Sequence, residues 1–227
     1  MYRELTNIER KAFMPLVETD GRPTVFVVDD DISIRESLEG LIETEGWRPM
    51  LFRSASEFLS YPLEQCARCL LLDINMPDLN GLELQQLIAA DQSDMPIIFI
   101  TGYGDVPMTV RAMKAGAVEV LTKPIDDDAL LEAIRNAIAR SAVVAGQQNE
   151  MRCLRDQYGA LSKREREVMA LVVTGLLNKQ IAFELGISEV TVKAHRGNVT
   201  RKMNARSLPE LVNMAARLGI GDAGLTI

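Results

Sequence analysis

Three acids, a threonine and a lysine in this chain have the types and placement needed for phosphoryl chemistry. Asp29 and Asp30 follow the apolar run Thr24–Val28, and Asp73 follows Cys69–Leu72. Thr101 follows Pro96–Ile100, and Lys123, with Pro124 behind it, follows Ala117–Leu121. Singly, each has a plain explanation. Asp29–Asp31 could cap a helix, Asp73 could be an ordinary loop acid, and a Lys-Pro pair means little. Jointly, each closes a strand-sized apolar run. Clustered carboxylates repel one another unless a hard cation joins them, and Mg2+ accepts oxygen ligands from one or two carboxylates plus phosphate and water. In such a site Asp73 can act as a nucleophile and form an acyl phosphate. A hydroxyl and an ammonium can then stabilise the phosphoryl oxygens.

These residues lie far apart in sequence, so the elements must bring them together. Strands are predicted at Thr24–Val28, Arg48–Phe52, Cys69–Leu72, Pro96–Ile100 and Ala117–Leu121. Helices are predicted between and after them, at Ser33–Thr44, Ser54–Ser60, Gly81–Ala90, Val106–Ala115 and Asp126–Ala139. Continuous apolar strands alternating with helices predict a parallel sheet covered on both faces. The expected fold is therefore α/β: a flavodoxin-like, doubly wound, five-stranded parallel sheet. Its strands end on one shared edge, where ligands of such sheets bind.

The remainder reads differently. Residues 1–23 are polar and broken by Pro15, Gly21 and Pro23, which predicts an N-terminal extension. Residues 140–153 lack a core stripe and read as a linker, helical at its start. Residues 154–219 predict an all-α, four-helix domain, followed by a tail at 220–227. Ser162 with Glu165 fits a capping box. Asn178–Leu185 and Glu189–Met203 are joined at Gly186, the arrangement of a helix-turn-helix. The second of these helices is expected to expose Lys193, His195, Arg196, Asn198, Arg201 and Lys202. A basic helix can enter the major groove of double-stranded DNA.

Charge supports this division. The whole chain carries −7, but residues 151–227 hold 12 Lys+Arg against 7 Asp+Glu. Residues 1–150 hold 13 against 25. The C-terminal segment can therefore meet a polyanion and the N-terminal segment cannot. The apolar fraction of 47% and charged fraction of 25% are those of a globular protein. The first residues carry no secretory signal pattern, and no apolar run approaches a bilayer span, so a cytoplasmic protein without membrane contact is expected. Cys66 and Cys69 form a lone Cys-x-x-Cys, Cys153 stands apart, and His195 is the single histidine. That is too few ligands at suitable spacing for structural zinc.

Several motifs now support a resemblance. Val27-Val28-Asp29-Asp30-Asp31, Leu72-Asp73-Ile74-Asn75-Met76-Pro77-Asp78, Gly81, Thr101-Gly102 and Lys123-Pro124 resemble receiver domains of two-component response regulators, over residues 24–139. Thr101–Met108 is similar to the NarL/FixJ branch. Leu161-Ser162, Arg164-Glu165, Glu167-Val168, Asn178-Lys179, Ile181-Ala182, Thr191-Val192-Lys193 and His195 resemble LuxR-type helix-turn-helix domains.

The resemblance implies a sensor histidine kinase that phosphorylates Asp73. It implies Mg2+ bound by Asp30, Asp73 and the Asn75 backbone carbonyl with help from Asp29, and sensing of the phosphoryl group by Thr101 and Lys123. It further implies that Lys193, Arg196 and nearby positions on the groove face contact DNA while Lys179, Thr191 and Arg201 suit the backbone. His195 is expected to pack or touch phosphate. Leu208–Leu218 would serve a homodimer on activation, with promoter DNA and RNA polymerase as partners. Two departures stand out. Val120 occupies a position where many receivers carry an aromatic switch residue, and Gly197 lies where some relatives present a longer base-reading side chain.

The expected function is phosphorylation-controlled transcription rather than enzymatic turnover of an external substrate. A phosphorylation-independent DNA-binding protein with a vestigial receiver is one alternative. A Mg2+-dependent phosphotransferase is the other, weakened by Asn75 where such enzymes often place a second acid.

Overall fold

The structure is a computed structural model that describes residues 21–63, 66–77, 79–91, 95–102 and 106–220. Residues 1–20 of the expected extension over 1–23, Asp78, the Tyr103-Gly104-Asp105 part of the loop motif and residues 221–227 of the expected tail over 220–227 lie outside the described residues. The chain divides into two compact units, one ending at Val143 and the other beginning at Val144.

In the first unit, β1 (Thr24–Val28), β2 (Arg48–Phe52), β3 (Arg68–Asp73), β4 (Ile97–Thr101) and β5 (Glu119–Thr122) form one sheet. The order is β2-β1-β3-β4-β5 and every pairing is parallel. The connecting helices are α1 (Ile32–Thr44), α2 (Ala55–Ser60), α3 (Gly81–Asp91) and α4 (Val106–Lys114), with α5 (Asp127–Gly159) after β5. All residues of β1 and β4 are buried, as strands covered on both faces require.

The two-residue period of a strand sorts these side chains between two cores. Phe26, Val28, Leu70, Leu72, Ile97 and Phe99 pack with Phe58 of α2, Leu84 and Ile88 of α3 and Ala112 of α4. Val25, Val27, Cys69, Leu71, Ile98 and Ile100 face the other way. They pack with Leu38 and Ile42 of α1 and with Leu130, Ile134 and Ala137 of α5. Burial of this continuous apolar surface is the main force holding the strand ends together, at about 25 cal/mol per Å² removed from water.

The expected ends of β3, β4 and β5 shift by one or two residues. The larger correction concerns α5, predicted to end at Ala139. It runs to Gly159, so the segment 140–153 is helical over its whole length. Its middle residues, Gln147–Glu150, are exposed all round and give no apolar stripe to read.

In the second unit, α6 (Lys163–Val173), α7 (Asn178–Leu185), α8 (Glu189–Lys202) and α9 (Leu208–Arg217) surround a core of Val168, Met169, Ile181, Val192, Val199, Met203 and Leu211. Leu154, near the end of α5, joins that core. The start of α6 carries the expected capping box, with Glu165 N–H donating to Ser162 Oγ and Ser162 N–H donating to Glu165 Oε2. Gly186 ends α7 at φ 63°, a left-handed conformation that an L side chain resists. That bend redirects the chain from α7 into α8. Ser188 caps α8 through the Thr191 N–H.

Candidate functional site

The carboxyl edge of the sheet gathers the predicted acids. Asp29 leaves β1, Asp73 ends β3, Thr101 ends β4 and Lys123 follows β5. One carboxylate oxygen from each of Asp29, Asp30 and Asp73 lies within 4.8 Å of the others. Asp29 and Asp73 are buried, while Asp30 is exposed. Lys123 Nζ donates to Asp29 Oδ2 at 2.9 Å and to Asp73 Oδ2 at 2.7 Å. Thr101 is fully buried at the same edge, and its carbonyl accepts the Lys123 N–H at 2.8 Å. That backbone bond ties the lysine's chain to the threonine's strand.

Local hydrogen bonds aim the acids. Asp29 Oδ1 accepts the Asp31 N–H, and Asp73 Oδ1 accepts the Asn75 N–H, both at 2.8 Å. Two contributors were not singled out by residue type. Arg35, on α1, donates to the Asp29 carbonyl at 2.6 Å and fixes the turn that carries Asp30. Gly81, at the start of α3, packs directly on the third strand's end. A Cβ there would lie 2.6 Å from the Asp73 carbonyl oxygen and 3.0 Å from Ile74 Cα. The acid's backbone can keep its place only beside a residue without a side chain. Gly81 in the motif was the available signal; nothing in the sequence marked Arg35.

Electrostatics leave this cluster unbalanced. Three carboxylates face one ammonium, an excess of negative charge that a divalent cation offsets. Burial raises the Asp29 carboxyl above its ordinary value; the bonds from Lys123 and Asp31 oppose this and the Asp73 charge adds to it. Burial alone would lower Lys123, but its bonds to Asp73 and Asp29, and their charges, raise it above the usual lysine value. The donor set is all oxygen, mixed in burial and open on the Asp30 side, and it fits a hard cation such as Mg2+.

The second unit distributes its predicted polar residues unequally. Lys179, Lys193 and Arg201 are exposed. Thr191 is half-buried, and its hydroxyl lies 2.8 Å from Ser188 Oγ within the helix cap. Arg196 Nη1 donates to Asn178 Oδ1 at 2.6 Å, joining α8 to α7. Asn198 Oδ1 accepts from Arg201 at 3.2 Å. His195 is half-buried, and its Nδ1 has no hydrogen-bond partner among the described residues. Lys202, expected as a DNA contact, is half-buried and also bonds within the unit. Its ammonium donates to the Ala160 carbonyl at 3.2 Å and to buried Glu165 at 2.7 Å. The end of α8 lies against the start of α6, and the Lys202 side chain stays 33% exposed.

Glu165 shows the consequence. The Lys202 bond first, then the Ser162 N–H, hold its carboxyl down at about 2 despite burial. Val120, at the expected switch position, is half-buried against the core shared by α2, α3 and α4. Cys66, Cys69 and Cys153 are all free, and burial pushes the Cys69 thiol far up, so it is a packing residue. Among the described residues no helix is long and apolar enough to cross a membrane.

Comparison with known proteins identifies both units. Residues 25–135 match the response regulator receiver domain, and residues 159–215 match the bacterial regulatory proteins of the luxR family. The chain is 47% identical to Nodulation protein W of Bradyrhizobium diazoefficiens over 203 residues, covering 89% of each protein. The chain belongs to the response regulators. It is also 41% identical to the transcriptional regulatory protein FixJ of Rhizobium meliloti, across 88% of this chain and 98% of that protein. The solved structure of the response regulator StyR superposes with a TM-score of 0.76 at 46% identity, covering 86% of this chain and 99% of that one. This response regulator thus combines a receiver with a LuxR-type DNA-binding domain, as its motifs implied.

Proposed function

We propose that Asp73 is the phosphoacceptor of this response regulator and that its phosphorylation controls promoter binding by the helix-turn-helix unit. The supporting observation is the meeting of Asp29, Asp30 and Asp73 within 4.8 Å, with Lys123 bonded to two of them. A carboxylate oxygen of Asp73 attacks the phosphorus of a phosphohistidine on a sensor kinase. The P–N bond breaks, the imidazole nitrogen departs with the electron pair, and an acyl phosphate remains on Asp73.

Asp29, Asp30, Asp73 and the Asn75 carbonyl would hold Mg2+, which supplies positive charge to the transferring phosphoryl oxygens when bound. Lys123 already faces Asp73 and is the ammonium placed to meet those oxygens, with Thr101 at the end of the neighbouring strand. The new group carries roughly −1.5 to −2 charge near neutral pH if it behaves like other protein phosphates. That charge draws Lys123 and Thr101 toward it and biases a two-state receiver. With Val120 in place of an aromatic, the response runs through Thr101 and the loop and helix after it, or through dimerisation.

Receiver and effector boundaries are placed at residues 24–139 and 154–219. Lys179, Lys193 and Arg201 are the cations offered to DNA, with Thr191, His195, Arg196 and Asn198 supporting the helix that carries them. The activated protein acts in the cytoplasm as a homodimer on promoter DNA alongside RNA polymerase, and it turns over no phosphoester other than its own.

The test is phosphoryl labelling by a radiolabelled small phosphodonor, acetyl phosphate, with and without Mg2+. Wild type should take up one Mg2+-dependent, hydroxylamine-labile group, and Asp73→Asn should take up none while keeping its circular dichroism. Equal labelling of the variant would refute the assignment.

A further inference from the structure

Gln85 sits in α3 where the fold asks for an apolar residue. It is 3% exposed, and Leu84 and Ile88 beside it belong to the core. Its Nε2 donates to the Ala115 carbonyl at 3.0 Å, across 30 residues. Its Oε1 is buried and, among the described residues, has no hydrogen-bond partner. A buried amide oxygen without a donor costs stability. An apolar side chain of similar size avoids that cost. The Ala115 carbonyl belongs to an exposed residue and can take a water in place of the amide. Packing therefore does not call for glutamine at this position; the bond to Ala115 does.

Ala115 lies at the far end of α4. The near end, Val106, follows the loop after Thr101. At the far end the Gly116 N–H donates to the Met113 carbonyl and the Ala117 N–H to the Ala112 carbonyl, with Gly116 at φ 93°. Those bonds close the helix on itself. The Gln85 bond instead ties that end to a neighbouring helix.

We propose that Gln85 is a positioning residue of the receiver's response, pinning the carboxyl-terminal end of α4 so that a shift at the Thr101 loop tilts the helix about that end. The proposal rests on the control by phosphorylation proposed above and assigns the fixed point of the motion. The nine residues of α4 span about 14 Å at 1.5 Å each. With one end held, a displacement is largest at Val106 and fades toward Ala115. The exposed side chains of Val106 and Val110 then move while β5 keeps its place. With neither end held, the same displacement slides the helix and is dissipated at its far end.

The experiment compares the full-length wild type with Gln85→Met, which keeps the length of the side chain and removes the amide. Gln85→Leu repeats it with a branched side chain. Affinity is measured with and without beryllium fluoride and Mg2+, for a duplex enriched by the activated wild type from a random-sequence pool. The ratio of activated to resting affinity should fall about fivefold in both variants, the worth of one net hydrogen bond. Their melting temperatures should stay within about 2 °C of wild type or rise. Amide exchange at Gly116 and Ala117 should speed about fivefold in the resting variants, with Ile98–Ile100 unchanged. Variants that keep the wild-type ratio overturn the proposal. So do variants whose affinity falls equally in both states, as a merely structural role requires, and variants whose Gly116 and Ala117 amides exchange at the wild-type rate. A wild-type ratio near one overturns the phosphorylation reading and the proposal with it, even where exchange shows the pin.

Discussion

Asp73 in the receiver and Glu165 in the effector unit are 5% and 4% exposed, and each lies 2.7 Å from a lysine ammonium. Their surroundings make them opposites. Glu165 Oε2 accepts from Lys202 and from the Ser162 N–H, with no second acid among its hydrogen-bonded partners. Its charge is fully compensated, and its carboxyl is held at about 2. Asp73 shares its lysine with Asp29, and Asp30 stands within reach of both. Burial and neighbouring charge raise Asp29 instead of lowering it. A compensated acid is part of the scaffold. An acid cluster with excess charge is poised to take a cation or a phosphoryl group, and residue type alone does not distinguish the two.

The largest effect expected from this contrast is in function. Asp73→Asn should reduce phosphoryl labelling by at least about a hundredfold, because it removes the nucleophilic carboxylate and leaves Asp29 and Asp30 to hold the cation. Glu165→Gln should leave labelling unchanged, which the same assay reads directly.

Stability should reverse the ranking. Glu165→Gln removes the charge that Lys202 and the helix cap need, and should cost about 2 kcal/mol in urea unfolding of the C-terminal unit. Asp30→Asn relieves repulsion at an exposed acid, and should change receiver stability by less than about 0.5 kcal/mol in metal-free buffer. If Asp30→Asn proves the more damaging, the contrast between the clusters collapses.

The pH dependence follows from Glu165. Its folded value of about 2 lies below the ordinary 4.5. The native state therefore binds fewer protons than the unfolded chain in that interval. The stabilisation is complete above about 4.5 and is lost as pH falls toward about 2. Acid unfolding of wild type should show this slope, and Glu165→Gln should flatten it.

A smaller effect sharpens the receiver side. Gly81→Ala places a methyl group 2.6 Å from the Asp73 carbonyl oxygen. Backbone must shift, at a cost of about 1–3 kcal/mol. Labelling of Asp73 should slow several-fold without being abolished. Unchanged rates at wild-type stability would show that α3 does not position the acid.

Much of this was legible before any coordinates. Asp29, Asp30, Asp73, Thr101 and Lys123 each follow an apolar strand, and the rule that parallel strands end on one edge sufficed to bring them together. The caps at Ser162 and Ser188 and the bend at Gly186 were readable because they are local, set within four residues. The extension of α5 was not, because residues 147–150 are exposed on every side and leave no apolar period. The bond from Lys202 to Glu165 was not, because helical spacing assigns a residue to a face without naming what lies opposite that face.

Sequence by itself determined the parallel sheet, the acidic edge and the helix-turn-helix, since period, turn chemistry and strand-end position are properties of neighbouring residues. Tertiary structure alone decided which charges are compensated. Lys202 meets Glu165 across 37 residues and Lys123 meets Asp29 across 94. Charge compensation depends on distance in space, and folding sets that distance independently of separation along the chain.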